Sequence, residues 1–112
     1  MEIKVLKNIL SANDLIAERN RQLLAGNKVF TVNLMSSPGA GKTSLIIETI
    51  KRLKDKVRIG VIEGDISSSI DALTVSKTGV PVVQINTGGE CHLDANMVGN
   101  ALVDFPLQEI QL

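Results

Sequence analysis

Residues 28–53 constrain this chain more than any other stretch. They read KVFTVNLM, then SSPGAGKTS, then LIIETIKRL. An apolar run rich in Val and Phe enters a Gly-rich turn, which passes into an apolar run at helical spacing. A strand that turns through Gly39 and Gly41 directly into a helix builds a phosphate site. The glycines let backbone N–H groups converge, and the helix N-terminus adds partial positive charge. Lys42 brings an ammonium to the outer phosphates, and Thr43 brings a hydroxyl to a nucleotide-bound Mg²⁺. The pattern G-x-x-x-x-G-K-[ST] has Ser36 at its first position here, while Pro38 to Thr43 is intact. A plain Gly-rich turn between packed elements is the simpler alternative. A strand before and a helix after is the context the phosphate reading requires.

The chain's 112 residues allow at most one domain, expected to span 1–112, with 8–26 as an N-terminal adjunct helix. Hydrophobic residues make up 44% and charged residues 21%, an ordinary globular composition. The 12 basic residues balance the 12 acidic ones, which favours neither nucleic acid nor an anionic membrane as partner. Lys51, Arg52, Lys54, Lys56 and Arg58 gather at a helix end, where cations complement the dipole. No run is apolar enough to span a membrane, and one cysteine excludes an internal disulfide. The expected location is therefore cytoplasmic. Phe30 and Phe105 are the only aromatic residues, so Ile, Leu and Val must build the core.

Residues 3–10 are ambiguous between strand and helix. Ser11 and Asp14 predict a helix start, and Gly26-Asn27 its end, with Ala12, Leu15, Ile16, Leu23 and Leu24 as a weak apolar face. Strands are expected at 29–35, 57–62 and 81–86. Helices are expected at 42–54, with Leu45, Ile46, Ile50 and Leu53 inward, and at 69–77, ended by Gly79. A last helix runs from an Asp94 cap to about Asp104, burying Met97, Val98, Ala101, Leu102 and Phe105, and Pro106 stops it. Residues 107–112 begin what reads as a further strand, so the chain is expected to be the N-terminal part of a longer protein. The alternation predicts an α/β fold of the phosphate-loop NTPase kind, a parallel sheet with flanking helices, cut short before its last strands.

Open parallel sheets bind ligands beyond the carboxyl ends of their strands. After the phosphate loop, the second strand leads to Glu63-Gly64-Asp65 and on to Asp71. The third leads to Thr87-Gly88-Gly89-Glu90-Cys91-His92. Asp65 and Asp71 suit the Mg²⁺ shell and a segment that orders around the outermost phosphate, or each caps a turn. Cys91 and His92 are the sole Cys and His of the chain. Thiolate and imidazole suit Zn²⁺ and Ni²⁺, and two copies of the pair across a two-fold axis would complete a Cys₂His₂ set. On spacing alone, a buried thiol beside a loop histidine is the simpler reading.

SSPGAGKTSL, VIEGD and QINTGGECHLDANMV, in this order and spacing, resemble the hydrogenase nickel-incorporation GTPase family, HypB. The segment NDLIAERNRQLL resembles that family's N-terminal helix. The likeness runs from about residue 8 to the end. It implies a phosphate-loop GTPase that forms a nucleotide-dependent homodimer and delivers nickel during [NiFe]-hydrogenase maturation, working with other maturation proteins and the hydrogenase large subunit. Carried onto this chain, it implies GTP on Gly39, Ala40, Gly41, Lys42, Thr43 and Ser44, and Mg²⁺ on Thr43, Asp65 and Asp71. Lys42 and Asp71 would be catalytic, and Cys91 and His92 would ligate Ni²⁺ or Zn²⁺. Asn96 stands where family members commonly carry His, and the family's guanine-specifying segment lies beyond Leu112. Two other readings are a metal- or partner-binding module without nucleotide turnover and a urease-type nickel-insertion GTPase.

Overall fold

The computed structural model describes residues 2–35, 41–65, 70–86 and 93–112. The elements run α1 (Glu2–Gly26), α2 (Lys42–Leu53), β1 (Val61–Asp65), α3 (Ile70–Ser76), β2 (Val82–Asn86) and α4 (Ala95–Val103). A 3₁₀ turn at Leu107–Glu109 follows.

α1 is one continuous helix, so the ambiguous residues 3–10 join it and Ser11 lies inside it rather than capping it. Nothing between Glu2 and Gly26 breaks a helix: there is no Pro and no internal Gly. From residue 12 onward, where burial is described, the half-buried side chains of α1 are Ile16, Ala17, Asn20 and Leu24, while Ala12, Leu15 and Leu23 are exposed. The true inner stripe therefore follows i, i+4, i+8 through a polar residue, and α1 packs on α4 with it. At the C-terminus, Lys28 N–H donates to Ala25 O (3.0 Å) and Val29 N–H to Leu24 O (2.9 Å). This pair of bonds wraps the end around a left-handed residue. That residue is Lys28, φ 58°, rather than Gly26 or Asn27.

β1 and β2 form a parallel pair in the register Val61↔Val82 through Asp65↔Asn86. β1 starts later than the apolar run 57–62 suggests. Residues 58–60 bond instead to the C-terminal residues: Gln111 N–H donates to Arg58 O (2.7 Å), and Gly60 N–H to Leu112 O (2.9 Å). Residues 107–109 are a 3₁₀ turn rather than strand, and the extended pairing begins only after it.

The predicted strand at 29–35 is not part of the described sheet. Phe30 N–H donates to Gln111 O (2.9 Å), but Phe30, Val32, Leu34 and Met35 are exposed, Met35 at 83%. An apolar strand settles into a sheet when neighbours take up both its backbone edges and its faces. Among the described residues, this segment has one such backbone bond.

Alternate residues of the sheet serve its two faces. Ile59 and Val61 join Ile50 of α2 and Val75 of α3 in one core cluster, with Ile46, Ile47, Leu53, Val80, Val82 and Leu112 packed around it. Leu45 was expected inward but is 55% exposed, and Ile47 takes the inner place. Ile46, Ile47, Ile50 and Leu53 follow the helical period, and Leu45 falls on the side of Thr49 and Arg52. On the opposite face, Gly60 and Gly64 leave no room for a side chain. A Cβ at Gly60 would lie 2.6 Å from Ile110 Cδ1 and 2.7 Å from Phe105, and one at Gly64 would overlap Leu93. α3 ends at Ser76, and the turn after it closes on Gly79, φ 90°, the glycine the sequence predicts there.

Candidate nucleotide site

The N-terminus of α2 is headed by Gly41 at φ 88°, ψ 17°, with no side-chain cap. Among the described residues, a Cβ at Gly41 would meet nothing within 4 Å, while its φ of 88° itself calls for glycine. Leu45 N–H donates to Gly41 O (3.0 Å), which closes the first turn. The first amides of α2, at Lys42, Thr43 and Ser44, have no acceptor within the helix, and the helix dipole adds positive character there. No acidic residue occupies this first turn. Lys42 and Ser44 are exposed and Thr43 is half-buried. This end of α2 can take an anion. Ser36, Ser37, Pro38, Gly39 and Ala40, the rest of the expected phosphate loop, lie outside the described residues.

Lys54 and Val57, just past α2, line a shallow groove with Arg58, Gly79, Val80 and Pro81, which precede the strands. The C-terminus of α2 therefore lies where β1 and β2 begin, and Asp65 and Asn86 mark the opposite edge, where the strands end. Asp65 is the last residue of β1 and pairs in register with Asn86, the last of β2. Asp71 is the second residue of α3, so it belongs to a helical first turn and not to a free loop.

The segments after both strands leave from that same edge. Cys91 and His92 lie outside the described residues, between β2 and α4. Among the described residues, no three His, Cys, Asp or Glu side chains group as a metal cluster. The flank of the pair is well defined. Asp94 caps α4 as expected, its carboxylate accepting from Met97 N–H at 2.8 Å. Leu93 packs on Gly64 of β1, so the residue after His92 touches the residue before Asp65.

The contact that sequence reasoning missed involves α1. Asn13 Oδ1 accepts from Ala95 N–H (3.1 Å), and Asn20 Nδ2 donates to Ala95 O (2.8 Å). The polar middle turn of α1 is thus a docking surface and not a weak spot. Asn13 and Asn20 are two helical turns apart, the spacing that puts side chains on one face, and this signal was readable.

No described helix is long and apolar enough to cross a membrane. The model of the CobW/HypB/UreG nucleotide-binding domain matches residues 30–109. The hydrogenase maturation factor HypB of Rhizobium leguminosarum bv. viciae is 54% identical over 103 residues, covering 92% of this chain and 34% of that protein. The crystal structure of the HypB maturation factor from Archaeoglobus fulgidus superposes with a TM-score of 0.74 at 36% identity, covering 88% of this chain and 59% of that one. HypB from Helicobacter pylori, crystallised in complex with nickel, superposes at 0.77 and 34% identity, covering 88% and 47%. The chain therefore spans between about a third and three fifths of the length of these relatives.

Proposed function

Because the chain belongs to the CobW/HypB/UreG nucleotide-binding family and matches HypB maturation factors over most of its length, we propose that it forms the nucleotide-binding part of a cytoplasmic GTPase handling nickel for [NiFe]-hydrogenase maturation. The observation that carries the proposal is Gly41, left-handed and uncapped, set directly before Lys42 and Thr43 at the start of α2.

In this reading Gly39 to Ser44 hold the phosphates of GTP. The amides at the head of α2 and the Lys42 ammonium face charge that grows on the transferred phosphoryl group, and they are fixed before it grows. Mg²⁺ would supply positive charge against the phosphates when bound. Thr43 and Asp65 are the residues that would hold it, a hydroxyl and a carboxylate, oxygen donors that suit this hard cation. Asp71 positions water or metal from the first turn of α3.

Nickel is cargo. Cys91 and His92 offer one soft and one borderline ligand, and a two-fold homodimer formed with nucleotide doubles them to four. Zn²⁺ suits the same donors. Recipients of the metal would be other maturation proteins and the hydrogenase large subunit.

Equilibrium binding of GTP with and without Mg²⁺ tests the site. Thr43→Ala should weaken Mg²⁺-dependent binding about tenfold and leave little Mg²⁺ dependence. Unchanged binding would overturn the assignment. Nickel titration of Cys91→Ala tests the cargo site, with loss of binding expected.

A second reading has one observation in its favour. The segment leading to the phosphate loop is exposed at Phe30, Val32 and Met35, which fits a module that binds metal or a partner without turning nucleotide over.

A further inference from the structure

The groove where β1 and β2 begin lies at the other edge of the sheet from Asp65 and Asn86, so it is separate from the nucleotide site. Its floor is apolar, with Ile59 buried and Val57 and Val80 half-buried. Two exposed cations, Lys54 and Arg58, line it, and Glu109 is the one acidic residue in its lining.

The end of α2 does not account for both cations. Lys51 and Arg52 belong to its last turn, where positive charge offsets the helix dipole. Arg58 addresses a different element. Its Nε donates to the Glu109 carbonyl (3.1 Å), which holds the guanidinium in place and leaves its two Nη groups without a partner among the described residues. The backbone beneath it is held too. Arg58 O accepts from the N–H groups of Gln111 (2.7 Å) and Leu112 (3.1 Å), and Arg58 N–H donates to Gln111 Oε1 (3.0 Å). The described ion pairs join Glu18 to Arg21 and Glu48 to Arg52, so no described carboxylate neutralises Lys54 or Arg58. A guanidinium fixed through Nε keeps its terminal N–H groups for an anion, and that planar fork matches the two oxygens of a carboxylate.

We infer that this groove docks an acidic peptide segment of a partner protein, with a carboxylate on Arg58 and Lys54 and an apolar side chain over Val57 and Val80. Charge complementarity selects the occupant, and the apolar floor selects a peptide over a bare anion. Nucleic acid suits the groove less. Its affinity grows with the number of cations on its phosphates, and the groove offers two. No aromatic residue lines it for a base to stack on. Glu109 works against the carboxylate, because like charges at close range repel.

That opposition gives the test a signed readout. Binding of a short fluorescent peptide of alternating glutamate and leucine to the intact protein is followed by anisotropy, beside the same peptide with glutamine for glutamate. Arg58→Gln should weaken binding of the glutamate peptide about tenfold. Lys54→Gln should weaken it by a smaller factor, and Glu109→Gln should tighten it about twofold. Damage to the fold can weaken binding but not tighten it, and unfolding midpoints near the parent's for Lys54→Gln and Glu109→Gln would confirm that these two report on the groove alone. Lys51→Gln removes a neighbouring cation that does not line the groove and should leave binding unchanged. Equal affinity for the two peptides overturns recognition of the carboxylate. Absence of binding, or parent-like binding in Arg58→Gln, Lys54→Gln and Glu109→Gln alike, overturns the site. Weakening in Lys51→Gln as large as in Lys54→Gln also overturns it, since that is diffuse attraction. Displacement of the peptide by an equal concentration of oligothymidylate overturns the choice of a peptide.

Discussion

Leu93 packs on Gly64 so closely that a Cβ on the glycine would overlap the leucine side chain. The contact joins the last turn of sheet before Asp65 to the segment that carries Cys91 and His92. Gly64→Ala should therefore cost about 1–3 kcal/mol in denaturant unfolding, because the displaced atom belongs to a half-buried side chain with neighbours of its own. Adding Leu93→Ala should recover part of that loss, leaving the double mutant more stable than the sum of the singles. Strict additivity would show that the two residues do not share the space.

Gly41 makes the contrasting case. Its φ of 88° strains any L-residue, yet among the described residues no atom lies within reach of a Cβ. Gly41→Ala should cost about 1–2 kcal/mol of backbone strain. No second substitution nearby should relieve it, since nothing is displaced. Guanine-nucleotide affinity, followed by calorimetry, should fall with it as the head of α2 shifts.

Lys28 runs the same logic in reverse. It holds a left-handed φ of 58° at the end of α1, where glycine is the ordinary choice. Lys28→Gly should raise stability by roughly 1 kcal/mol. A fall in the unfolding midpoint would show that the lysine side chain contributes more than its backbone costs.

Asp94 caps α4 through Met97 N–H at 2.8 Å. Asp94→Ala should cost about 1 kcal/mol, and Asp94→Asn much less, because the amide oxygen can still accept. Thermal unfolding of the two variants separates a cap from a carboxylate with another task, for which Asn would fail as Ala does.

These expectations divide by how local their causes are. The Asp94 cap and the Gly79 stop follow from neighbours in sequence, and both were legible there. The start of β1 was not, because its register is set by Val82 and residues 58–60 are taken by the C-terminal residues. Leu45 and Ile47 were confused because adjacent apolar residues on a helix differ by only a fraction of a turn, and tertiary packing chooses between them. The strand at 29–35 has the right residues for a sheet, but pairing depends on partners distant in sequence. For the site, the sequence placed Lys42 and Thr43 at the head of α2, but it put Asp65 in the loop after a strand ending at residue 62, where the structure makes it the strand's last residue. The grip of Asn13 and Asn20 on Ala95 spans most of the chain and had no local signature beyond its spacing.

The most direct measurement is GTP hydrolysis by the intact protein in Mg²⁺, compared with Lys42→Ala. Lys42 is exposed at the head of α2 and has no described packing duty, so the variant should keep the parent's unfolding midpoint. Turnover should drop by about a hundredfold or more, the usual scale for removing one preorganised charge partner of the transition state. Equal rates in parent and variant would contradict the assignment of this helix end as the phosphate site.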